Sequence, residues 1–178
     1  MGKENKYQVV YQGLSEGIHD FDFDINDSFF ENREYSEIEK GELKAKIILN
    51  KKSTFLELDV KVDGFVELIC DRCLGEYKQK IKFKGKLYVK FSETEGDLDY
   101  DVICLSSKDH DLDISHYLYE SIRLSIPLKR VHPYKMGRST CDPEMIKNIY
   151  NLNTEESTKD EIDPRWNELK NLMDNNNK

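Results

Sequence analysis

Four side chains in this sequence have the types that grip a metal ion. Cys70 and Cys73 stand in Ile69-Cys70-Asp71-Arg72-Cys73-Leu74, and His132 and Cys141 follow far downstream. A Cys-x-x-Cys pair lets one tight turn present two thiolates to a single ion while backbone N–H groups support the sulfurs. His132 and Cys141 would complete a Cys₃His zinc set, because ligands need only be close in space, not in sequence. Two other chemistries stay open for the same pair. A redox couple of the thioredoxin type wants its first cysteine at a helix N-terminus in a βαβ setting, whereas the flanks here read as antiparallel strands. Unligated thiols would behave as small apolar groups in or near a core, which is also the simplest reading of Cys104 in its apolar strand.

The second chemistry is contact with phosphate. Lys78, Lys80, Lys82, Lys84 and Lys86 alternate with Ile81, Phe83 and Leu87, so one strand face carries a stripe of lysines. Lys129, Arg130, Lys135 and Arg138, interleaved with His132 and Tyr134, make the loop after Pro127 strongly basic, and Arg72 stands between the two sulfurs. Such residues suit an RNA backbone and stacked bases. The ordinary alternative is a solvated strand face that discourages edge-to-edge pairing, with a loop that pairs with the protein's own acids. With 27 basic against 35 acidic residues the chain carries a net charge of −8, which excludes nucleic-acid binding over its whole surface and makes any such contact local.

The elements that must position these residues follow from periodicity. Tyr7 to Tyr11 reads as a short strand, and Phe21, Phe23 and Ile25 alternate with Asp20, Asp22 and Asp24 in another. From Gly41 the period is two: Leu43 to Leu49, a turn at Asn50 to Ser53, then Leu56 to Val62. Asp63-Gly64 reads as a bend before the strand that leads to Cys70. Asp113 is placed to cap a helix from about Ile114 to Leu124, and Asp142-Pro143 opens a short one. Asp163-Pro164 opens another, with Trp166, Leu169 and Leu172 on one face. The expected fold is α+β, a predominantly antiparallel sheet or partly open barrel with short helices toward the C-terminus. A single domain is expected over residues 1–150, with a linker and a docking helix over 151–178. No stretch is apolar enough to span a bilayer and Met1 to Tyr11 has no signal-peptide core, so a cytoplasmic protein is expected, its cysteines reduced or metal-bound.

With those residues placed, the chain resembles the YceD-like family of bacterial large ribosomal RNA accumulation proteins. The likeness rests on Cys70-Asp71-Arg72-Cys73-Leu74, the helix from Asp113 to Ile122 with Glu120, Leu124-Ser125-Ile126-Pro127-Leu128, His132, Cys141, and Asp163-Pro164-Arg165-Trp166. It implies a part in accumulation or maturation of large-subunit ribosomal RNA and implies no enzymatic activity. Some relatives carry several cysteines in the loop after the position of Pro127, where this chain has only His132 and Cys141. The expected partner is ribosomal RNA or a ribosomal protein; neither a membrane nor a small-molecule substrate is evident. The alternative is a zinc-stabilised adaptor that binds protein and touches no RNA. No phosphate loop or nucleophile elbow suggests an enzyme.

Overall fold

The structure, a computed structural model, describes residues 6–31, 33, 36–91, 96–99, 101–106, 109–135 and 138–156. In chain order the elements are β1 (Gln8–Val10), β2 (Gly17–Ile25), α1 (Asp27–Glu31), β3 (Gly41–Lys51), β4 (Phe55–Ile69), β5 (Glu76–Phe91), β6 (Gly96–Asp99), β7 (Val102–Leu105), β8 (Asp111–Asp113), α2 (Ser115–Leu124), β9 (Tyr134–Lys135), β10 (Arg138–Ser139) and α3 (Pro143–Glu156). They fall into two compact units, Met1–His132 and Pro133–Lys178.

In the first unit, period-two alternation produces a six-stranded sheet in the order β2-β3-β4-β5-β7-β6. All its pairings are antiparallel except β5 with β7. The fold is thus α+β with an open sheet whose edges are β2 and β6, and the barrel alternative is not realised. Beside it, β1 pairs with β8. Leu43, Ala45, Ile47 and Leu49 on β3, Leu56, Leu58, Val60 and Val62 on β4, and Ile81, Leu87 and Val89 on β5 share one face, where they are almost completely buried. Each such Leu or Ile contributes about 1.5–3 kcal/mol relative to an exposed side chain. Helix α2 covers part of this face. Tyr117 stacks edge-on against Phe83 at 6.2 Å, and its hydroxyl donates to the Lys86 carbonyl at 3.3 Å. The helix begins one residue later than the sequence predicts: Ile114 takes the cap position without a side-chain bond, and the Asp113 carboxylate accepts from the Ser115 N–H at 2.8 Å just before the first turn.

One local reading is corrected. Asp63-Gly64 does not bend the chain out of the sheet, because β4 runs unbroken to Ile69 with Gly64 paired to Leu43 on one side and Ile81 on the other. The glycine serves a close approach instead. A Cβ there would run into the Glu42 carbonyl oxygen and the Leu43 backbone, and the φ of +158° is one an L side chain rarely adopts.

In the second unit, β9 and β10 form a two-stranded hairpin and Asp142 caps α3, accepting from the Glu144 N–H at 2.9 Å. The helix continues to Glu156, past Asn151 where the sequence reading begins its linker. The expected helix at Asp163 lies outside the described residues. Among those described, no helix is long and apolar enough to cross a membrane.

Candidate metal centre

Strands β4 and β5 are joined by the six-residue turn from Cys70 to Gly75, and the backbone closes it tightly. The Cys70 N–H donates to the Gly75 carbonyl and the Leu74 N–H to the Cys70 carbonyl, both at 2.9 Å. Leu74 sits at a φ of 57°, a left-handed conformation that costs a leucine about 1–2 kcal/mol. That conformation folds the turn back on itself, and the Arg72 N–H comes 3.4 Å from the Cys70 sulfur. The Cys-x-x-Cys spacing predicts this use of backbone N–H groups to support a thiolate.

The loop after α2 is held against the turn by Asp71 and Arg130. The Asp71 N–H donates to the Arg130 carbonyl at 2.7 Å, and the Arg130 N–H donates to the Asp71 carboxylate at 2.9 Å. The Arg130 guanidinium also faces Asp71 at 3.4 Å and Glu37 at 3.4 Å. Two residues farther on, this clasp delivers His132, whose Nδ1 lies 3.3 Å from Cys73 Sγ. Tyr77 flanks the imidazole, ring centre to ring centre 5.3 Å. The ligand atoms of Cys70, Cys73 and His132 lie within 4.8 Å of one another. A tetrahedral zinc ion with Zn–S bonds of about 2.3 Å would hold two sulfurs about 3.8 Å apart, so a contraction of about 1 Å suffices.

The electrostatics favour an anion at Cys70. Burial pushes its thiol up, but hydrogen bonds from the Cys73 and Arg72 backbone and from His132 outweigh it and hold the thiol at about 6, against an ordinary 9.0. A thiolate is the form that binds metal. Burial, then the charges of Cys70 and Asp71, push the Tyr77 hydroxyl up. Among the described residues that buried hydroxyl has no hydrogen-bond partner. Three soft and borderline donors, two of them buried sulfurs, fit zinc. The redox reading fares worse, since Cys70 follows a strand in an antiparallel hairpin and opens no helix. Cys104 is buried, as expected of a core residue. Cys141 belongs to the second unit, directly before the cap of α3, and is also buried.

The candidate RNA contacts are more dispersed than a stripe suggests. On β5, Lys78 lies 3.9 Å from Glu67, Lys82 lies 3.9 Å from Asp63, and Lys86 reaches Glu57 at 2.6 Å and Asp59 at 3.5 Å. Lys80 lies over the Phe65 ring, 5.8 Å from its centre. Lys84 instead stands opposite Lys61. Arg72 is half-buried in the turn, Arg130 is engaged in the clasp, and Lys129 is exposed. Lys135 and Arg138 are paired through their backbones in the hairpin of the second unit. Single-strand reading missed Lys44, Lys46 and Lys61 on the neighbouring strands, whose places beside the stripe depend on cross-strand register.

A family model described as large ribosomal RNA subunit accumulation protein YceD matches residues 58–173. No curated protein and no solved structure matches the chain.

Proposed function

The chain belongs to the YceD family of large ribosomal RNA subunit accumulation proteins, and from that premise we propose that it is a non-enzymatic cytoplasmic factor that supports accumulation or maturation of large-subunit ribosomal RNA by binding RNA. The family match carries the reading, because it takes in the cysteine turn, α2 and the loop to His132. We propose further that Cys70, Cys73 and His132 bind zinc and that Cys141 supplies the fourth ligand, as its residue type suggests. The ion would act as a structural clip, holding the 125–132 loop to the turn where Arg130 and Asp71 already hold it. Cys70 would enter that site as a thiolate, with His132 a neutral ligand oriented beside Tyr77.

Crosslinking in cells followed by RNA sequencing tests the function. Recovery of large-subunit ribosomal RNA or its precursors is expected, and recovery of neither the RNA nor a pre-ribosomal particle refutes it. One observation favours a protein-binding adaptor as the second reading: Ile69 and Leu74, which flank the cysteine turn, and Leu128 are exposed at 61%, 69% and 102%. Salt-insensitive binding to a purified ribosomal protein in the absence of RNA would select that reading.

A further inference from the structure

The outer face of the sheet carries charge in rows that cross the strands, and one row is unlike its neighbours. In the row through Asp63, Asp24 faces Lys44, Lys44 faces Asp63 and Asp63 faces Lys82, so signs alternate. In the row through Asp59, that carboxylate stands opposite Lys86 and pairs with it. Between them, Lys46 faces Lys61 and Lys61 faces Lys84, so three lysines on three adjacent strands stand directly opposite one another. Asp20 draws Lys46 from the β2 side at 3.8 Å, and Asp22 stands opposite it. Among the described residues, neither Lys61 nor Lys84 makes an ion pair. A shallow depression follows the row, lined among the described residues by Lys44, Lys46, Lys61, Lys82 and Lys84 with the single acid Asp63.

Like charges placed directly opposite each other destabilise a sheet. The arrangement therefore opposes folding unless an anion neutralises it, and its shape says which anion. Strands lie about 4.8 Å apart, so the three stems are set along a line of about 10 Å, long enough for successive charges on a chain and wider than one carboxylate needs. Lysines are point charges without the fork geometry that selects a particular carboxylate, and they suit backbone contact without base reading. On the same face, Phe65 is 46% exposed beside Lys80, offering a ring on which a base can stack.

We propose that Lys46, Lys61 and Lys84, flanked by Lys44 and Lys82, form a binding site for the phosphodiester backbone of single-stranded RNA. The proposal rests on the RNA-binding reading above and locates it: the contact crosses β3, β4 and β5 and does not run along β5, where Lys78 and Lys86 are already engaged with acids that do not line the depression.

The test is fluorescence anisotropy of a labelled oligouridylate over a series of salt concentrations, with the full chain, with K46Q/K61Q/K84Q, and with the control K40Q/K52Q. The control removes lysines paired to Glu67 and Glu57 away from the row. Single-strand binding loses about 0.7 log units of affinity per log unit of salt for each phosphate neutralised, so losing three contacts should make the slope shallower by about 2. Between about 50 and about 200 mM salt the full chain should then lose about 18-fold more affinity than the triple variant. The control should keep a slope close to that of the full chain. If the full chain binds and the triple variant binds with the same slope, the row is not the site, while the RNA-binding reading stands. Failure of the full chain to bind at any salt overturns both. Equal binding of labelled polyglutamate would show a general polyanion surface and overturn the assignment to RNA. All three lysines are solvent-facing, and circular dichroism melting of the triple variant should show no loss of stability.

Discussion

Replacing Lys84 by glutamate should stabilise the protein and weaken the proposed RNA contact. Lys84 stands directly opposite Lys61 of β4 and lies between Lys82 and Lys86 on the same face of β5. The change turns the cross-strand repulsion into an attraction and does the same, at longer range, toward the two lysines along the strand. Exposed pairs of this kind are worth about 0.3 kcal/mol each, so the cross-strand contributions and the weaker ones along the strand together come to about 1 kcal/mol at low ionic strength. For a chain of this length that raises the melting temperature by about 3 °C. The gain must disappear at about 1 M salt, where the screening length falls to about 3 Å. Thermal melts followed by circular dichroism at low and high salt, on Lys84→Glu beside the unaltered protein, measure both quantities. A variant that melts lower than the parent at low salt, or a gain that survives high salt unchanged, would refute the reasoning. The first result would mean that the lysines do not oppose one another as the register implies, and the second that the gain is not electrostatic.

Elemental analysis of purified protein should find about one zinc per chain, the stoichiometry of a single structural site, and Cys70→Ser should lose the metal and melt at a lower temperature; absence of zinc together with unchanged melting of the variant would refute the site. Because the folded Cys70 thiol is depressed to about 6 from 9.0, its stabilising contribution to the metal-free fold is complete above the ordinary value, shrinks below it, and is lost as pH falls through about 6. The same protonation competes with metal, so chelator competition should show zinc affinity falling about tenfold per pH unit below that point on account of this ligand, and a flat profile down to pH 5 would exclude Cys70 from the set. Gly64→Ala forces a methyl group into the β3 backbone and should cost about 2–3 kcal/mol in urea unfolding, whereas an unchanged midpoint would show that β3 and β4 do not approach closely there.

Local chemistry was legible because it depends on near neighbours in the chain. The alternation of Leu43 to Leu49 and of Ile81 to Val89 announced half-buried strands, since successive side chains on a strand point to opposite faces. Asp113 and Asp142 announced helix starts, since a carboxylate reaches only the first N–H groups of the turn beside it. Spacing alone likewise marked Cys70 and Cys73 as a pair on one turn. Gly64 was misread for the complementary reason. Asp-Gly prefers a bend locally, but two neighbouring strands pair with that segment, and their ladders override the preference.

Register and long-range contact belonged to the tertiary structure. The lysine stripe was visible along β5, yet its charges are read across strands, and only the alignment with β4 shows Lys78, Lys82 and Lys86 matched with acids and Lys84 matched with another lysine. A shift of that alignment by two residues would keep every side chain on its face and exchange these partners, which is why no property of either strand alone could predict them. His132, 59 residues after Cys73, comes to its sulfur because Arg130 and Asp71 close a clasp between two loops. The sequence by itself determined that this turn presents two sulfurs, because the turn is local; the fold decided that a histidine meets them, because that contact depends on the path of every strand between.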